Sequence, residues 1–238
     1  NVNTPIPLVF CFHGYTSNAS SIMSYTNFNY ISDTAGFIVV YPQGTLLQGS
    51  THWNVGGWTT GSTADDVGFS ISLLDFISTQ YNIDAARVYS TGMSNGGYMS
   101  FLLACQMSDK IAAIASITGS MTPQTYSACN PQHPTPVLQI HGTNDQVVPY
   151  IGDPTWTASI DDVFQYWVEY NNCNTSPTST PIADINQFDG STAEYIVYDQ
   201  CDNSVTTEHF KITGGDHDWP GAWGNMDIHA SAEVWKFF

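Results

Sequence analysis

The stretch Gly92-Met93-Ser94-Asn95-Gly96 sets a serine between two glycines. A strand-like apolar run, residues 86–91, precedes it, and a helix-like run, residues 97–104, follows. In that context G-x-S-x-G reads as a nucleophile elbow, a sharp strand-to-helix turn that lifts the serine hydroxyl clear of a sheet. Gly92 and Gly96 would permit the close backbone approach that side chains block. The N–H of Asn95 would stand free at a helix N-terminus, where negative charge is favoured. A glycine-rich turn with an incidental serine has the same spelling, so the motif needs partners elsewhere in the chain.

A serine hydroxyl is a weak nucleophile and needs a base, and the base needs a carboxylate to orient it. In an α/β sheet such residues gather past the carboxyl ends of strands. The apolar run 137–140 leads into His141-Gly142-Thr143-Asn144-Asp145, which makes Asp145 the candidate acid. Its competing use is an Asx-turn. The run 210–213 leads into Gly214-Gly215-Asp216-His217-Asp218-Trp219, which makes His217 the candidate base. The order Ser94, Asp145, His217 is the one expected of α/β-hydrolases and differs from the two other common triad orders. A second oxyanion donor should come from the loop after an earlier strand, and the N–H of Tyr15 in His13-Gly14-Tyr15 occupies that place.

The elements that must position these groups follow from hydrophobic patterning. Residues 7–12, 36–41, 87–93, 111–118 and 137–140 read as buried strands, and 194–198 and 208–212 as two more. Helices are expected over 20–34, from about 62 to 80, over 160–170 and over 228–238. Ser62 with Asp65, and Thr63 with Asp66, resemble capping boxes at the start of the second of these. The alternation predicts an α/β fold with a mostly parallel sheet and helices on both faces. No linker or repeat is visible, so residues 1–238 are expected to form one domain.

Composition narrows the partners. Only 4 Lys and Arg stand against 21 Asp and Glu, a net charge of −17, which argues against nucleic acid and anionic membrane surfaces. No apolar run approaches a membrane span, and a monomer is expected. Cys173 and Cys201 lie in polar, loop-like stretches and invite a disulfide. Cys105 and Cys129 make a plausible second pair, and Cys11 reads as a buried small hydrophobe. Such pairs imply an oxidising compartment, hence secretion. The chain begins at Asn1 rather than Met, as expected of a processed or trimmed sequence.

No metal-ligand spacing and no cofactor motif is found, and Asp216-His217-Asp218 lacks a partnering cluster. His52, His133, His209 and His229 have no motif context. His13 and His141, each before a glycine, fit either a place beside the site or buried hydrogen bonding. Trp53 and Trp58 lie in the long loop 43–63, and Trp219 and Trp223 flank His217. Of these, Trp219 and Trp53 are the candidates for an apolar wall that receives an acyl group or a sugar, against the alternative of plain packing.

Several segments together carry a family resemblance. They are residues 7–15, Tyr41-Pro42-Gln43-Gly44, Ala64-Asp65-Asp66-Val67-Gly68-Phe69, and residues 92–97, 140–150 and 214–221. The chain resembles the secreted α/β-hydrolase esterases related to feruloyl and acetylxylan esterases and to polyhydroxybutyrate depolymerases, the carbohydrate esterase family 1 type. The resemblance implies a serine carboxylesterase that forms an acyl-enzyme and needs no cofactor, with feruloyl or acetyl esters of plant polysaccharide as substrate. A polyester depolymerase is the alternative, and a non-catalytic binding protein on the same fold is the alternative of another class. Relatives carry two strands before the position of Pro7, so the expected sheet lacks its first two strands or they lie outside this chain.

Overall fold

A computed structural model describes residues 4–238. The first strand, β1 (Ile6–Phe12), is fully buried from Leu8 to Phe12, as befits a run covered on both faces. Two short helices follow, α1 (Ala19–Thr26) and α2 (Phe28–Ala35), rather than the single helix expected. Asn27 breaks them apart by taking a left-handed conformation with φ 54°, which asparagine tolerates better than most residues. The chain then forms β2 (Ile38–Val40) and a small hairpin, β3 (Thr45–Leu47) with β4 (Ser50–His52).

Helix α3 (Asp66–Gln80) starts later than the capping-box reading requires. Asp65 is its N-cap and accepts the Gly68 N–H, while Asp66 accepts the N–H of Asn54 from the long loop. Next come β5 (Ile83–Met93), α4 (Asn95–Gln106), β6 (Ala113–Ile117), α5 (Pro123–Ala128) and β7 (Val137–Gly142). The chain closes with α6 (Ile160–Tyr170), β8 (Thr178–Pro181), β9 (Thr192–Tyr198), β10 (Thr207–Thr213) and α7 (Ala230–Phe237).

Eight strands make one sheet in the order β2-β1-β5-β6-β7-β10-β9-β8. Every pairing from β2 to β10 is parallel; β9 and β8 add an antiparallel margin. Among the described residues no strand lies outside β2. One apolar cluster packs α3, α4 and α6 on one face through Leu74, Leu103 and Trp167. The other packs α1, α2 and α7 on the opposite face through Ile22, Phe28 and Val234. Disulfides Cys105–Cys129 and Cys173–Cys201 tie the ends of α4 and α6 to nearby loops, and Cys11 stays buried and free.

The chain leaves β1 for β2 on one side and returns to β5 on the other. Such a reversal opens a crevice at the carboxyl ends of the two central strands. The ladder aligns Met93 with Ile117, Ile117 with Ile140, and Ile140 with Phe210. The carboxyl ends of β5, β6, β7 and β10 therefore stand in one row, about 4.8 Å apart.

Candidate active site

Ser94 sits one residue past that row. Its backbone, at φ 55° and ψ −119°, lies where only a constrained turn holds a non-glycine residue. The turn is locked from both sides: the Ser94 N–H donates to Ile117 O at 2.8 Å, and Ser94 O accepts the Tyr98 N–H at 3.0 Å. The flanking glycines are sterically required. A Cβ on Gly92 would stand 2.5 Å from Phe12 O, and one on Gly96 only 2.0 Å from the same atom.

Asn95 is fully buried, and its side chain is clamped to the backbone of Trp53. Oδ1 accepts the Trp53 N–H at 2.7 Å and Nδ2 donates to Trp53 O at 3.1 Å. Its own N–H, in the first turn of α4, has no partner among the described residues.

The other flank of the crevice is the loop after β1. His13 is buried, and burial pushes its pKa below the ordinary imidazole value. Its Nε2 accepts the Gly44 N–H at 3.0 Å, so the proton resides on Nδ1, which donates to Gly14 O at 2.8 Å. That bond fixes the Gly14–Tyr15 peptide plane. In a trans peptide the N–H points away from the carbonyl, so the Tyr15 N–H is aimed opposite to the His13 ring. It too has no partner among the described residues, although the Thr16 and Ser17 N–H groups do.

Asp145, in the loop after β7, is 2% exposed. Its Oδ1 accepts the N–H groups of Val147 and Val148, both at 2.8 Å. Its Oδ2 accepts His217 Nδ1 at 2.8 Å and faces His141 Nε2 at 3.3 Å. Burial alone would raise its pKa, but the hydrogen bonds from His141 and His217 outweigh burial and hold the carboxyl below the usual carboxylate range. With Nδ1–H given to the carboxylate, Nε2 of His217 is the nitrogen left to act as a base. The His217 side chain is 17% exposed, on the loop after β10.

Asp145 and His217 are thus joined. No hydrogen bond among those of the described residues joins Ser94 Oγ to His217. Catalytic contacts of this kind are often loose in unliganded enzymes and tighten in the substrate complex. Among the described residues no three His, Cys, Asp or Glu side chains gather so as to hold a metal ion.

The two expected wall residues are placed elsewhere. Trp53 is fully buried and edge-on to Phe12, with Nε1–H donating to His13 O at 2.9 Å. Trp219 is fully buried against Tyr25 and Phe28, with Nε1–H donating to Ser231 Oγ at 3.1 Å. Both serve the interior, because each indole spends its one N–H on a buried acceptor. The aromatic surface beside the crevice comes instead from Tyr15, 41% exposed, and the half-buried Trp58. Their rings meet edge to face at 5.6 Å, and Trp58 also meets Tyr98, one helical turn past Ser94, at 5.8 Å. Trp58 was legible only as one of two tryptophans in the loop 43–63, and nothing in the spelling marks which of them faces outward.

The sequence pattern of the esterase PHB depolymerase family matches residues 2–148, more than half of the chain. The chain belongs to that family. Curated relatives resemble it along most of its length. It is 28% identical over 231 residues to a bifunctional acetylxylan esterase/xylanase of Neocallimastix patriciarum, covering 97% of this chain and 30% of that one. It is 30% identical over 222 residues to feruloyl esterase B of Piromyces equi, covering 89% and 39%. The chain thus spans about a third of the length of these two relatives. Feruloyl esterase D of Neurospora crassa is 27% identical over 251 residues, with 77% of its length covered. In three dimensions the acetyl xylan esterase from Aspergillus awamori superposes with a TM-score of 0.68 at 16% identity, over 98% of this chain and 89% of the other. That likeness shows a shared α/β-hydrolase fold.

Proposed function

We propose that this member of the esterase PHB depolymerase family is a serine carboxylesterase using Ser94, His217 and Asp145. Ser94 Oγ attacks the ester carbonyl carbon while His217 Nε2 takes its proton. The carbonyl oxygen gathers negative charge and is held by the N–H groups of Asn95 and Tyr15, a contribution of about 3 kcal/mol per donor in measured enzymes. Asp145 keeps the imidazole in the Nδ1–H tautomer and stabilises the imidazolium. His217 then returns the proton to the departing alcohol, and water, activated the same way, releases the acid and restores Ser94.

The observation that carries this reading is the 2.8 Å bond between His217 Nδ1 and the buried Asp145, on the row of strand ends that also carries the strained Ser94 turn. The substrate class comes from the relatives: feruloyl or acetyl esters of plant polysaccharide, with Tyr15 and Trp58 offering an aromatic face beside the oxyanion donors. Two disulfides suit work outside the cell. The family's description favours one second reading, hydrolysis of a polyhydroxybutyrate-type polyester.

Rates on methyl ferulate, acetylated xylan, p-nitrophenyl acetate and a short polyhydroxybutyrate chain separate these substrates. The plant-polysaccharide reading expects the highest kcat/KM on methyl ferulate or acetylated xylan. Ser94→Ala should lower kcat by about six orders of magnitude on every active substrate. Undiminished turnover by that variant contradicts the triad.

A further inference from the structure

His141, at the end of β7, is fully buried and four residues before Asp145. Its protonation is set by Gln139. One hydrogen of the Gln139 Nε2 amide goes to Gly119 O at 2.9 Å, so the amide nitrogen, not the oxygen, occupies that side. The same nitrogen lies 2.9 Å from His141 Nδ1 and donates its second hydrogen there. Nδ1 is therefore bare and the His141 proton sits on Nε2. That N–H faces Val148 O at 2.9 Å and Asp145 Oδ2 at 3.3 Å. Gln139 Oε1 is left buried with no partner, a cost tolerated in exchange for the two donations.

Oδ2 of Asp145 thus meets two imidazole N–H groups, from His217 at 2.8 Å and from His141 at 3.3 Å. We infer that His141 is a positioning residue that, through Asp145, sets how readily His217 takes up a proton and therefore where activity fails on the acid side. The inference rests on the triad reading above. A carboxylate oxygen shared with a neutral donor has less negative charge to offer an imidazolium. With His141 in place, part of the Asp145 charge is spent on the His141 N–H. Without it, Asp145 attracts the imidazolium more strongly and the base is silenced at higher pH.

Other charged or titratable groups surround this pair. Asp216 and Asp218 flank His217, and Asp216 Oδ1 accepts the His217 N–H at 2.9 Å. Strand β10 brings His209 and Lys211, the latter directly opposite His141 in the ladder. Tyr150 stands with its ring 6.0 Å from that of His141, and Tyr98 of α4, whose pKa is pushed up by burial and further by the Asp145 charge, is also within reach of that carboxylate. All remain in place when His141 alone is changed, so a difference between variants isolates the His141 donor.

A purely structural role predicts something else. If His141 only ties down Val148, its loss lowers stability and leaves the pH profile where it was. The test is kcat/KM for p-nitrophenyl acetate against pH in the wild type, His141→Leu and His141→Gln, with Ser94→Ala as the reference for the triad itself. In His141→Leu the midpoint of the acid limb should move up by roughly one pH unit. In His141→Gln, whose amide N–H reaches the place of Nε2, the limb should return to the wild-type position. An unmoved limb in folded His141→Leu, with Ser94→Ala inactive, overturns the inference and leaves the triad standing. Full turnover by Ser94→Ala removes both. Should His141→Leu not fold, nitrogen-15 NMR of histidine-labelled wild type reads the tautomer directly: a proton on Nε2 of His141 supports the inference, and one on Nδ1 overturns it.

Discussion

Gly96→Ala sets two physical effects against each other. The residue is in the first turn of α4, where Ala is favoured over Gly by about 1 kcal/mol of helix propensity. On that ground alone the variant should be more stable and fully active. Tertiary geometry predicts the reverse. The new Cβ would stand 2.0 Å from Phe12 O, 2.6 Å from Phe12 C and 3.0 Å from His13 O. All three are backbone atoms, and relieving the contact requires a shift of about 1 Å between α4 and the end of β1.

Overpacking of this kind costs about 1–3 kcal/mol, enough to cancel or exceed the propensity gain. At about 2–4 °C per kcal/mol for a chain of this size, the melting temperature should fall by up to a few degrees. The larger effect is on rate. The displaced atoms lead directly into Gly14-Tyr15, so the Tyr15 N–H moves relative to Ser94. A misplacement of about 1 Å can cost about 100-fold, similar to losing one oxyanion donor. The assay is kcat and KM on p-nitrophenyl acetate, with thermal unfolding on the same preparation. A kcat down about 100-fold with KM little changed is the expected outcome. A variant with wild-type kcat and a raised melting temperature would refute the reasoning.

Three other predictions follow from particular contacts. Burial pushes the pKa of His209 down to about 3, so the folded protein holds it neutral while the unfolded chain binds a proton near pH 6.5. Its share of stability is full above that pH and is lost on acidification, by about 2 kcal/mol at pH 5; His209→Phe should flatten the slope of melting temperature between pH 5 and 6.5, and an unchanged slope counts against a neutral His209. Opening the Cys105–Cys129 bridge by Cys→Ser at both positions, 24 residues apart, should cost about 3–4 kcal/mol in urea unfolding, and no loss of stability contradicts it. Trp219→Phe should lower stability and leave KM for methyl ferulate alone, whereas Trp58→Ala should raise that KM by about tenfold; the opposite pattern would return the aromatic wall to Trp219.

What the sequence discloses tracks how local the physical demand is. Gly92 and Gly96 could be read in advance because the turn leaves no room for a Cβ, a constraint satisfied within a few residues and the neighbouring strand end. The buried runs of β1, β5, β6 and β7 could be read because strands covered on both faces are predominantly apolar, with only isolated polar residues such as Ser116 and Gln139 among them. The pairing of Asp145 with His217 depended only on both lying past strand ends, and the structure joins them.

Some misses are non-local. Trp53 and Trp219 are buried because of His13 O and Ser231 Oγ, acceptors 40 and 12 residues away that no spacing rule announces. Strand β8, reading Thr-Ser-Thr-Pro and exposed throughout, has no apolar face to betray it and exists because β9 offers an edge. Two misses are local instead: the break at Asn27 is set by that residue's left-handed backbone, and the cap at Asp65 by its side chain accepting the Gly68 N–H.

The central claim is that Ser94 is made reactive by His217 and Asp145 together. It is met most directly by covalent labelling with a fluorophosphonate, read by intact mass and located by peptide mapping. The wild type should take up one equivalent at Ser94, and His217→Ala should label far more slowly although its serine is intact. A wild-type protein that is folded and takes up no label, or equal labelling rates in the two proteins, would contradict the account.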